Sequence, residues 1–118
     1  MVSIVPADQE TYELLVQDIL PREQVFLCMV ASDGRQQLGR IVCRIKDDTA
    51  AILKIEYQDS VIADGLVRAV LNSAREKGAD MALCALEPLF PVLAKMGFNK
   101  TGSEMSAEIN GILSGKCR

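Results

Sequence analysis

The side chains best suited to chemistry in this chain lie together in LKIEYQDSVIADGLV, residues 53–67. The Glu56 carboxylate could take a proton, directly or through a water, and the Tyr57 hydroxyl could donate a hydrogen bond. Immediately after them, residues 58–63 lead from a run of period two into one of period 3.6. A strand end would then meet a helix start, whose unpaired N–H groups attract anions. The same residues also suit purely structural tasks. Asp59 or Ser60 can cap the helix, Val61 can continue its apolar stripe, and Glu56 and Tyr57 can be a solvated strand end and a rim tyrosine.

Composition removes several other chemistries. The chain has no histidine, so the usual base for serine or cysteine nucleophiles and the commonest zinc ligand are both missing. Its four cysteines, Cys28, Cys43, Cys84 and Cys117, are far apart, which offers neither a metal knuckle nor a redox pair. The first three sit in apolar runs and are expected to be buried small hydrophobes, with Cys117 a loose tail thiol. No metal site is expected. The net charge of −3 comes with scattered lysines and arginines, so no basic stripe is present to neutralise a nucleic-acid backbone. The N-terminal residues MVSIVPADQE lack a cationic segment followed by an apolar core, and no apolar run reaches the ~20 residues that span a bilayer. A cytoplasmic protein without nucleic-acid or membrane partners is expected.

The elements that must position the 53–67 segment follow from periodicity. At 118 residues the chain suits one domain, placed at 1–110, with 111–118 (GILSGKCR) as a frayed tail. Residues 3–6 read as a short strand, and Asp8 can cap a helix with Tyr12, Leu15, Val16 and Ile19 on one face, stopped by Pro21. VFLCMVA (25–31), a turn at SDG (32–34) and QLGRIVCRI (37–45) read as a hairpin. Asp47 and Asp48 mark another turn before TAAILKIEY (49–57), the third strand of an antiparallel meander. Residues 60–77 form a helix with Val61, Ile62, Leu66, Val67, Val70, Leu71 and Ala74 as its stripe, ended by Gly78. MALCAL (81–86) is then a candidate parallel partner reached through a strand-helix-strand crossover. Pro88 and Pro91 suit the start of a short helix closed by Gly97, and 103–109 (SEMSAEI) reads as the last strand. The predicted class is α+β, with a mixed central sheet flanked by helices.

With the elements in this order, the chain resembles the GNAT superfamily of acyl-CoA-dependent N-acyltransferases over roughly residues 38–98. In that family the central strand ends in a V-x-P-E-Y-like segment, followed by Q/R-x-x-G-x-G/A and a helix. Here Leu53 stands at the valine position and Ile55 at the proline, Glu56 and Tyr57 match, Gln58 opens the loop motif and Ala63 closes it. AREKGAD (74–80) and LAKMGF (93–98) look like the family's A-x-x-x-G and Y-x-x-x-G-F stretches.

The resemblance implies an acetyltransferase-like activity with acetyl-CoA or CoA as cosubstrate and an amine as acceptor. It implies that Leu53, Ile55, Gln58, Asp59, Ser60, Val61, Ile62 and Ala63 line the cosubstrate site, with Glu56 and Tyr57 as the catalytic candidates. The strand edge would pair with pantetheine amides, and the helix start would face the diphosphate. Asp59 and Val61, however, occupy the two positions where the family usually has glycine. If either needs a positive φ, its side chain costs about 1–3 kcal/mol. A carboxylate about 5 Å from a phosphate charge costs about 3 kcal/mol at an effective dielectric near 20. Nearby cations are Lys54 and Arg68, and Arg68 can pair with Asp64 at i, i+4. The family's thiolate-protonating tyrosine falls on Leu93, and ALEPLFP has no counterpart to its asparagine. A second reading is therefore a non-catalytic module of this fold, for protein association or another ligand. A third is a regulatory α+β domain of another family. The short early segment predicts an open acceptor side, where an exposed apolar strip would serve homodimerisation.

Overall fold

Three consecutive runs rich in Val, Ile and other apolar residues build the centre of a seven-stranded sheet. The computed structural model describes residues 1–19 and 25–114. Strand β1 (Val2–Pro6) and helix α1 (Gln9–Val16) precede the meander of β2 (Val25–Asp33), β3 (Gln36–Lys46) and β4 (Thr49–Tyr57). Helix α2 (Ser60–Glu76) then crosses to β5 (Met81–Cys84), and a 3-10 turn (Glu87–Leu89) runs into α3 (Phe90–Met96). The hairpin of β6 (Asn99–Thr101) and β7 (Glu104–Glu108) leads into α4 (Ile109–Leu113). Across the sheet the order is β1-β2-β3-β4-β5-β7-β6, antiparallel throughout except that β5 runs parallel to β4. The class is α+β, with the antiparallel first half and the single parallel crossover that the sequence predicts.

The two sheet faces carry separate apolar clusters. One is large and lies under α2, α3 and α4, drawing Met29, Ala31, Ile41, Cys43, Ala50 and Ile52 from the meander. The smaller one lies under α1 and joins Leu15 and Val16 to Phe26, Cys28 and Val42. The helix caps are those the sequence allows. The Asp8 carboxylate accepts the Thr11 N–H at 2.8 Å, and α2 and α3 are followed by Gly78 and Gly97 at φ 98 and 112. Cys28, Cys43 and Cys84 are buried as expected, whereas Cys117 and the helix stop assigned to Pro21 lie outside the described residues. Helix α1 already ends at Val16. Among the described residues no helix is long and apolar enough to cross a membrane, and no group of three or more His, Cys, Asp or Glu could hold a metal ion.

Several expectations need correction. Val61 does not continue the buried stripe of α2: it is 77% exposed, and Ile62 and Ala63 take the inward positions of that first turn. The hairpin β6–β7 replaces a single late strand, because Gly102, at φ 67, lets the chain double back. Residues 111–113, expected in a frayed tail, are helical, and Ile109 and Ile112 enter the main core. MALCAL is a strand only to Cys84, not to residue 86.

Candidate functional site

The early end of β5 opens the site. Parallel pairing between β4 and β5 runs from Thr49 opposite Met81 to Ile52 opposite Cys84 and stops there. Beyond Cys84 the chain coils away: the Leu86 N–H meets the Cys84 sulfur at 3.4 Å, and the Leu86 carbonyl accepts the Leu89 N–H at the 3-10 turn. Among the described residues, 53–57 of β4 therefore keep β3 on one side and pair with no strand on the other. A bulge at the parting point adds to the divergence. Val42 faces Lys54 and Cys43 faces Ile52, so Leu53 is an extra residue that bends and twists β4. Side-chain direction shifts with it. Ala50 and Ile52 enter the large core, Leu53 packs into the cluster under α1, and Ile55 and Tyr57 return to the large core.

The loop after β4 spends much of its hydrogen-bonding capacity internally. Leu38 is itself the extra residue of a bulge in β3, and its carbonyl accepts the Gln58 N–H at 3.0 Å. The Asp59 carboxylate caps α2 by accepting the Ile62 N–H at 3.0 Å, and the Asp59 carbonyl accepts from Ala63 at 3.0 Å. Asp59, at φ −153, is in ordinary extended backbone, and the positive-φ residues of the described chain all lie elsewhere. The strain considered for Asp59 and Val61 is therefore absent. What opposes an anion here is the carboxylate and the protruding valine. Ile62 and Ala63 bury their side chains, while Gln58, Asp59, Ser60 and Val61 are exposed. Beside them, Ser60, Val61 and Asp64 of α2 and Pro91, Val92 and Lys95 of α3 enclose an open cleft of about 350 Å³.

Neither known protein-family profiles nor curated protein sequences match this chain. Solved structures do. The aminoglycoside 6'-N-acetyltransferase of Enterococcus faecium superposes with a TM-score of 0.71 at 10% identity, covering 91% of this chain and 97% of its own. A GNAT-family acetyltransferase of Staphylococcus aureus gives 0.68 at 13% identity, covering 92% and 99%. The ribosomal-protein-S18-alanine N-acetyltransferase of Escherichia coli gives 0.62 at 11% identity, covering 92% and 94%. The fold is that of the GNAT acyltransferases.

Within this GNAT fold the candidate residues fall into four groups. Leu53, Ile55 and Gln58 lie along or just beyond the free edge of β4, Ser60 and Val61 line the cleft, and Asp59 precedes them as the N-cap of α2. Ile62 and Ala63 present backbone alone, and both of their N–H groups are already bonded to Asp59. Glu56 is exposed and receives the Arg40 Nε at 3.0 Å across the β3–β4 ladder, whereas Tyr57 packs on the large core. The two catalytic candidates are thus on opposite faces of β4.

Leu93, at the position of the GNAT tyrosine, is wholly buried. Lys54, expected near the loop, points instead to the α1 side, where its Nζ lies 2.6 Å from Asp18 Oδ1 and 3.4 Å from the Leu15 carbonyl. That hydrogen bond holds the Asp18 carboxyl below its ordinary range. Arg68 does pair with Asp64, at 2.7 Å, and also donates to the Ile112 carbonyl at 2.8 Å. Three contributors were missed in the sequence: Arg40, the Leu38 carbonyl and Lys95. Only Arg40 had a local signal, being a cation opposite an acid in a predicted hairpin.

Proposed function

We propose that this chain is an N-acetyltransferase-like protein that takes an acyl thioester, with acetyl-CoA as the reference donor, into the slot between β4 and β5 and transfers the acyl group to an amine. The observation that carries the reading is the loss of pairing after Ile52 and Cys84, beyond which the outer edge of β4 meets no strand among the described residues and offers its backbone groups to pantetheine amides. In the transfer, the amine nitrogen bonds to the thioester carbonyl carbon, the carbon–sulfur bond breaks, and the amine gives up a proton. Glu56, whose carboxylate accepts the Arg40 Nε–H at 3.0 Å, is the base this reading assigns to that proton, acting through a water. Leu93 has no proton to give, so the departing thiolate takes one from solvent.

The test is an amide-resolved NMR titration of the full chain with acetyl-CoA and with acetyl-pantetheine. Shifts concentrated at residues 53–57 and at Leu86 are expected with at least one donor. If neither perturbs β4 at millimolar concentration, the reading is wrong. A second reading, a GNAT-fold module that binds without catalysing, is favoured by buried Leu93 and by the capping role of Asp59. Binding without turnover across a panel of primary amines would select it.

A further inference from the structure

We infer that the donor this site prefers carries its thioester on a pantetheine arm without a nucleotide diphosphate. The inference rests on the β4–β5 slot being the thioester site. A pantetheine arm is uncharged, and its amides require the strand edge that residues 53–57 provide. A diphosphate requires converging N–H groups or cations, and in the loop from 58 to 63 three of the N–H groups are already bonded within the protein.

Three facts on different residues agree. The N–H groups of Gln58, Ile62 and Ala63 are bonded within the protein, to Leu38 and Asp59. No residue from 58 to 63 has a positive φ, so the loop does not form the concave nest of amides that holds phosphate. The charges at the mouth give an anion no net attraction: Asp64, which lines the cleft, is paired with Arg68, Arg68 also donates to the Ile112 carbonyl, and the exposed Asp59 at the helix start offsets the remaining cation. Lys95 remains as the cation lining the cleft, whose walls also include Val61, Pro91 and Val92. Those apolar side chains suit the geminal methyl groups of a pantoyl unit better than a solvated diphosphate.

Such an arm occurs free, as a pantetheine thioester, or attached through one phosphate to a carrier protein. The experiment titrates the full chain with pantetheine, 4'-phosphopantetheine and CoA at one ionic strength, read by amide shifts in β4. Pantetheine is expected to bind at least about tenfold more tightly than CoA, because the diphosphate alone meets the exposed Asp59 and finds no nest of amides to receive it. Phosphopantetheine binding like pantetheine assigns the carrier-borne arm, and phosphopantetheine as weak as CoA assigns the free thioester. CoA binding as tightly as pantetheine, or more tightly, overturns the inference and leaves the thioester slot standing. If none of the three perturbs β4, slot and inference fall together. Asp59→Asn keeps a capping side chain and removes the charge, and is expected to narrow the pantetheine-to-CoA ratio several-fold. An unchanged ratio also overturns the inference.

Discussion

Gly39 of β3 lies so close to Glu56 of β4 that a Cβ built on it would stand 2.6 Å from the Glu56 carbonyl oxygen, with Leu66 Cδ1 at 3.0 Å and Ile62 Cγ2 at 3.1 Å. The missing side chain is what allows α2 to sit down on the strand that carries the candidate base. Gly39→Ala is expected to lower stability by about 1–3 kcal/mol, measured by urea denaturation. Gly111→Ala is the contrasting case, since nothing lies within 4 Å of its Cβ, and a gain of about 0.5–1 kcal/mol is expected in helix α4.

Helix α4 closes the far side of the core, and Ile112 is only 2% exposed there. Ile112→Ala should therefore cost about 2–5 kcal/mol by the same measurement. A loss under about 0.5 kcal/mol would mean that the helix is not docked in solution.

Two exposed carboxylates tie stability to pH. The backbone N–H of Thr11 holds the Asp8 carboxyl below its ordinary value of 3.8, and the Lys54 hydrogen bond does the same for Asp18. A lowered folded-state value means the stabilisation is present above the unfolded value and lost as pH falls through the folded one. Asp8→Ala and Asp18→Asn should accordingly destabilise at neutral pH and converge with the parent protein at strongly acid pH. Parallel urea midpoints along a pH series check the sign.

The core thiols should be inert. Burial pushes Cys43 up to about 12 and Cys28 to about 11, and it raises Cys84 as well. Thiolate is the reactive form, so iodoacetamide near neutral pH should modify these three no faster than the protein unfolds. Peptide mass spectrometry along a urea series would show it, and labelling of Cys43 in the native state would contradict the packing.

Glu56→Gln is expected to depress acyl transfer by at least about tenfold while leaving donor affinity within about twofold. Equal losses in both would make Glu56 a binding group and remove it as the base.

Much of this architecture was legible because apolar spacing is a direct record of which face is buried. Apolar spacing bounds TAAILKIEY as β4 and gives the α2 stripe except in the helix's first turn, where Val61 is exposed and Ala63 is buried in its place. MALCAL is apolar throughout, so nothing in it marks where pairing to β4 would stop, yet that stop forms the slot. β6 is exposed at all three residues and gains its shape from β7 alone. α4 has a glycine in five residues, and its helicity comes from the core that Ile109 and Ile112 join. At the site itself, the cap at Asp59 was readable as residue chemistry, whereas Lys95 reaches the cleft only through the packing of α3 beside α2.

Leu53 is one residue more than the β3 ladder has room for. Its effect resembles a frameshift: the inward-facing set of β4 changes from even numbers, Ala50 and Ile52, to odd ones, Ile55 and Tyr57. The strand is therefore two grammatical halves in one sentence, the first a member of the sheet and the second an adaptor with one side left open. Deleting the Leu53 codon would restore strict alternation, with Ile55 and Tyr57 still facing inward, and would remove the bend that the extra residue puts into the strand. In this chain, access to the slot depends on the count of residues in β4 as much as on their identity.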